Sequence, residues 1–122
     1  MMADETITAA AETEEEREAR EMISFGIIAS AGQARSLAFE SLKAARAGDF
    51  ETAERLLSES RSAALEAHHQ QTNLLSKEAA GEHTPVDVML VHAQDHLMTA
   101  MLAQELIGEL VNLYKVKADR EE

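Results

Sequence analysis

Apolar positions recur three and four residues apart in three long blocks, the spacing of one helix face. The first block predicts a helix from Glu15 to Arg46. Its stripe is Ile23, Ile27, Ala31, Ala34, Ala38, Leu42 and Ala45. A second stripe beside it, Met22, Phe25, Ala29, Gly32 and Phe39, predicts a wide buried face. The run Ala47-Gly48-Asp49-Phe50 then stops one helix and starts another: Gly48 suits a left-handed C-terminal turn and Asp49 an N-cap. A second helix is predicted from Phe50 to Ala80, with the stripe Ala53, Leu56, Leu57, Ser60, Ala64, Ala67, Gln71 and Leu74. Its small residues predict close approach of a neighbouring helix. Gly81-Glu82-His83 is the next break. Thr84-Pro85-Val86-Asp87 reads as a helix start, with Thr84 as N-cap, Pro85 in the first helical position and Asp87 completing a capping-box-like pair. The third helix is predicted from Pro85 to about Lys117, with Lys115, Lys117 and Arg120 near its C-terminus, where positive charge is favoured.

Helices of some 30 residues span about 45 Å each at 1.5 Å per residue. Short links make neighbours antiparallel. The expected fold is therefore all-α, an up-down-up three-helix bundle over residues 15–118. Residues 1–14 carry acidic and small residues without a period and are expected to be a disordered acidic tail, as are residues 119–122 at the other end. So thin a bundle buries a modest core, and self-association is a natural way to cover its remaining apolar stripes.

Composition narrows the picture. The 122 residues are one domain by length. Hydrophobic residues make up 45 % and aromatics only 3 %, with no Trp, so the core must be built from Ala, Leu, Ile, Val and Met. A formal net charge of −12 disfavours nucleic acid and anionic lipid and suits a partner with a basic face. Without cysteine there is neither a disulfide framework nor thiol chemistry. No apolar run approaches the roughly 20 residues of a membrane span. The acidic first fifteen residues lack the basic and apolar regions of a signal peptide. A cytoplasmic location is expected.

The chemistry concentrates in Val91-His92-Ala93-Gln94-Asp95-His96-Leu97-Met98-Thr99. His92 and His96 share a helix face. Such a pair can bind zinc, but a zinc protease needs Glu directly after the first His, and this chain has Ala93. An imidazole that is neutral near physiological pH can instead accept and pass on a phosphoryl group; a polar histidine with no reaction is the alternative. Asp95 falls on a different stripe with Val91, Met98, Leu102 and Leu106, all apolar. Burying a lone carboxylate there costs several kcal/mol, so a proton, a hydrogen-bond donor, a cation or exposure at the edge of the bundle must relieve it. A threefold axis along this stripe would bring three carboxylates together, where a hard cation such as Mg²⁺ would suit their oxygens. Val91, Leu97, Met98 and Met101 are candidates for a docking surface as well as for core. His68 and Gln71 lie within one turn of each other on the second helix, open to a structural hydrogen bond or to a supporting role beside His92.

The run Leu90-Val91-His92-Ala93-Gln94-Asp95-His96-Leu97-Met98-Thr99 resembles the signature of the IIA proteins of the lactose/cellobiose/diacetylchitobiose phosphotransferase family. Ala31-Gly32-Gln33-Ala34-Arg35-Ser36, Ala47-Gly48-Asp49-Phe50, and Glu66-Ala67-His68 with Gln71-Thr72 agree with it, so the similarity spans residues 18–117. The resemblance implies a homotrimer and a phosphotransferase component whose His92 is phosphorylated at Nε2. It implies that Asp95 from three subunits shares a structural Mg²⁺ near the trimer axis. Gln94 and His96 match motif positions and are assigned supporting roles at the site. The donor would be phosphorylated HPr, and the acceptor a cysteine of a IIB component. Ala93 and the acidic N-terminal extension resemble the diacetylchitobiose/cellobiose branch more than the lactose branch. Two other readings compete: a helical adaptor that binds partner helices and does not need His92, and a metal-binding bundle using His92 and His96.

Overall fold

The computed structural model describes residues 11–121. Three α-helices follow one another: α1 (Glu14–Arg46), α2 (Phe50–Ala79) and α3 (Val88–Arg120). Thr13 accepts a hydrogen bond from Glu16 N and caps α1. Asp49 accepts from Thr52 N and caps α2, while Gly48 takes φ 82°, the left-handed turn its sequence context predicts. Gly81 ends α2 the same way, with φ 89°. Residues 1–10, most of the expected tail, lie outside the described residues.

The third helix begins later than Thr84-Pro85 suggests. Asp87 is its N-cap, in an extended conformation with its side chain accepting from Leu90 N. The cause is tertiary. Asp87 Oδ2 also accepts from Arg20 of α1, and Arg20 is at the same time paired with Glu12 at 2.8 Å. One guanidinium, only 12 % exposed, thereby ties the N-terminal segment, α1 and the first turn of α3 together. The Leu90 N–H bond, with Arg20 next, holds the Asp87 carboxyl below its ordinary range; Arg20 does the same to Glu12. A carboxylate whose proton affinity is lowered by folding favours the folded state above its ordinary pKa, and that support fades as pH falls through it. Thermal unfolding followed from pH 6 to pH 3 should therefore show Tm falling below about pH 4, and Asp87→Asn should flatten that fall.

Two clusters of small apolar residues form the core. Ile27, Ala31, Ala67, Ala93, Leu97 and Ala100 pack at one level, and Ala38, Ala45, Ala53, Leu57, Ile107 and Val111 at the other. Alanine on facing helices brings backbones close, and serine exploits this. Ser41 Oγ donates to Ala53 O at 2.6 Å, and Ser60 Oγ donates to Ala34 O at 2.6 Å while accepting from Gln104. Leu97 is fully buried among alanines that cannot expand to fill a gap. Leu97→Ala should cost about 3 kcal/mol, read as a lower midpoint in urea unfolding at fixed protein concentration.

Helix α1 lies along both others, whereas α2 and α3 meet sparsely. Between those two, an open groove of about 420 Å³ is lined by Leu57, Arg61, Gly108 and Val111 among others. The predicted inner stripes are found inside. The second stripe of α1 is not: Met22, Phe25, Ala29 and Phe39 are exposed and Gly32 is half-buried. Three helices offer α1 only two neighbours, which cover one side of it and leave the other to solvent.

Candidate functional site

Two aligned layers position the third-helix motif. The Arg20–Asp87 pair fixes the height of α3 against α1, and Ala93 and Leu97 anchor the motif's inner edge at 0 % exposure. With those two residues pointing inward, the 3.6-residue turn dictates where the others go. His92 is exposed and His96 half-buried. Their rings meet edge to face, with centroids 4.6 Å apart and planes at 73°. Two rings so placed limit each other's rotation. His92 therefore presents an imidazole to solvent with an aromatic wall on one side.

Asp95 is also exposed. Its stripe faces outward along its whole length: Val91, Met98, Leu102 and Leu106 are 47 %, 56 %, 56 % and 56 % exposed, continued by Val88, Leu110, Leu113 and Val116. Among the alternatives open for Asp95, exposure is the one found within a single chain. The stripe that carries it is a continuous apolar surface on an otherwise highly charged protein, the mark of an interaction face. Among the described residues no three His, Asp or Glu side chains of one chain converge to hold a metal.

Of the docking candidates, Leu97 is core, Met101 is half-buried, and Val91 and Met98 are exposed. Gln94 points to the opposite flank of α3 from His92, toward α2. There its Oε1 accepts from Gln71 Nε2, and that nitrogen lies 3.7 Å from Met98 Sδ. His68 is exposed on α2 and makes no hydrogen bond among the described residues. The structure thus joins Gln71 to Gln94, a pairing that sequence spacing does not indicate. The one available signal was a long amide on the inner stripe of an alanine-rich helix. Thr99 Oγ donates to Asp95 O at 2.8 Å, back into its own helix. Among the described residues no helix is long and apolar enough to cross a membrane.

Comparison with known proteins places the chain in a family. Residues 22–115 match the model of the family described as PTS system, lactose/cellobiose-specific IIA subunit. The chain is 49 % identical over 108 residues to the N,N'-diacetylchitobiose-specific EIIA component of Escherichia coli K12, covering 88 % of this chain and 93 % of that one. It is 48 % identical over 99 residues to the lactose-specific EIIA component of Lactococcus lactis, covering 81 % and 94 %. The crystal structure of the cellobiose-specific enzyme IIA from Bacillus anthracis superposes with a TM-score of 0.78 at 41 % identity, over 93 % of this chain and 98 % of that one. The IIA(Chitobiose) of E. coli, solved in solution in complex with HPr, superposes with a TM-score of 0.70 at 47 % identity, over 80 % and 95 %. Two sugar branches match almost equally well, so similarity identifies the component and not its sugar: the chain belongs to the lactose/cellobiose-specific IIA subunits of the sugar phosphotransferase system, a phosphotransfer part of enzyme II.

Proposed function

We propose that this IIA protein carries a phosphoryl group on His92, taking it from phosphorylated HPr and giving it to a cysteine of a IIB component during uptake of a β-linked disaccharide, diacetylchitobiose or cellobiose ahead of lactose. The observation that carries the reading is the exposed His92 imidazole, braced on one side by His96. Its Nε2 lone pair attacks phosphorus in line. The bond from phosphorus to the donor's histidine nitrogen breaks as the new N–P bond forms; the IIB thiolate later attacks the same phosphorus, forming an S–P bond as the His92 N–P bond breaks and frees the imidazole. Little covalent machinery is needed, since positioning of donor and acceptor supplies most of the rate. The relative solved with HPr supports the donor assignment, and the net charge of −12 suits a docking partner with a basic face. The relay is placed in the cytoplasm.

The exposed stripe of α3 supports a second element of the reading, a homotrimer with the three α3 stripes on its axis. Valines and leucines that face water in one chain would be covered there. Three Asp95 carboxylates would then meet, supplying the hard oxygen donors that Mg²⁺ prefers. The ion would neutralise the cluster as a structural element, and Asp95 is the residue that would hold it. Around such an axis the His92 flank of one copy faces the Gln94 flank of the next, which places both supporting residues, Gln94 and His96, beside the reacting imidazole. The adaptor reading and the His92–His96 metal reading are outcomes of the same experiment. Incubation with phosphoenolpyruvate, enzyme I and HPr should place about one acid-labile, base-stable phosphoryl group on each chain. A chain that stays unlabelled rejects the carrier reading.

A further inference from the structure

Gln71 is the buried side-chain amide of α2, at 9 % exposure. Its Nε2 donates to Gln94 Oε1 and lies 3.7 Å from Met98 Sδ. A thioether sulphur accepts hydrogen bonds and cannot donate them. The nitrogen end of Gln71 is therefore the end turned toward α3, and Gln94 has to answer with its oxygen. Among the described residues, the NH₂ of Gln94 makes no hydrogen bond of its own. A glutamine free to flip could show either end to its surroundings; this one shows only donors.

His92 and Gln94 are two residues apart, about 200° around the helix, so they cannot serve one phosphoryl group within one chain. They lie on opposite flanks of the exposed stripe. We propose that Gln71 is a positioning residue for phosphoryl transfer: it locks the amide of Gln94 so that N–H, not C=O, faces the phosphoryl group on His92 of a neighbouring copy. The proposal rests on the carrier and trimer readings above. Phosphoryl oxygens carry negative charge, which an N–H stabilises and a carbonyl oxygen repels, most strongly where water is excluded. Gln71 itself makes and breaks no bond.

Gln71→Glu tests this in the full chain. The side chain keeps its size but offers two acceptor oxygens, so Gln94 turns its NH₂ inward and its oxygen outward. The kcat for transfer from phospho-HPr should fall about tenfold to a hundredfold with KM nearly unchanged, and the ³¹P resonance of the phosphohistidine should move. Gln94→Ala should lose a similar factor, and adding Gln71→Glu to it should cost nothing further. A purely structural Gln71 would lower Tm and leave kcat and the ³¹P signal alone. Gln71→Met, which keeps volume and removes the lock, provides the same comparison if the glutamate variant does not fold. Normal kcat in folded, trimeric Gln71→Glu or Gln71→Met, normal kcat in Gln94→Ala, or full additivity of the double variant overturns the proposal. Failure of the underlying reading is separate: it appears as wild-type protein that takes no label on His92.

Discussion

His92→Gln should abolish phosphoryl acceptance, a loss of at least about 10³-fold in the rate of labelling by phospho-HPr. Glutamine is the informative replacement. It is close to histidine in size, tolerated in a helix and capable of hydrogen bonding, but has no ring nitrogen to form an N–P bond. His92 is exposed, so removing its ring leaves the alanine and leucine layer beneath intact, and far-UV circular dichroism and Tm should match the wild type. His96→Gln, in contrast, should keep its label and lose rate, because it removes a wall against the reacting ring rather than the nucleophile. Undiminished label on His92→Gln would transfer the reaction to another histidine, with His96 and His68 the first to examine. Acid lability and base stability of the label separate phosphohistidine from a phosphoserine or an acyl phosphate.

The second large effect concerns assembly. Asp95→Leu should make the proposed trimer independent of divalent ions. In the proposed wild-type trimer, three carboxylates on an apolar axis would repel unless a cation lay among them, so chelator at low ionic strength should shift sedimentation toward smaller species. Leucine removes the repulsion and adds buried apolar surface, about 1.5–3 kcal/mol per side chain if fully covered. That is at least about tenfold tighter association per subunit. The variant should sediment as a trimer with or without chelator. A wild type that remains monomeric at high concentration in excess Mg²⁺ removes both the shared ion and the axis.

The helices and their links were legible because their signals are local. A three-and-four period, a left-handed glycine and a capping aspartate each act within a few residues, and Gly48-Asp49 folds as its neighbours dictate. The start of α3 was misplaced because two capping patterns overlap within Thr84-Pro85-Val86-Asp87. The choice between them is made by Arg20, 67 residues away. The second stripe of α1 was misjudged for a related reason. Periodicity reports that a face is apolar, but whether a neighbour reaches it depends on how many helices the chain supplies. Phe25 and Phe39 lie on the side of α1 that neither neighbour covers. At the site, His92, Asp95 and Gln94 stood out through their motif. Gln71 stood out beside His68, but its partner did not, because that partner is an oxygen on another helix.

The unequal contact between helices has a mechanical consequence. With α1 lying against both others and α2 meeting α3 sparsely, through shared apolar layers, the Ser60–Gln104 and Gln71–Gln94 hydrogen bonds and the Glu54–Lys115 ion pair, the molecule is built as a spine with two leaves. Thermal breathing should part the leaves first, so backbone amides of α1 should exchange with deuterium last and those along the α2–α3 seam earliest. A molecule that opens along that seam loosens Gln94 from Gln71 and leaves the His92–His96 pair, both on α3, together.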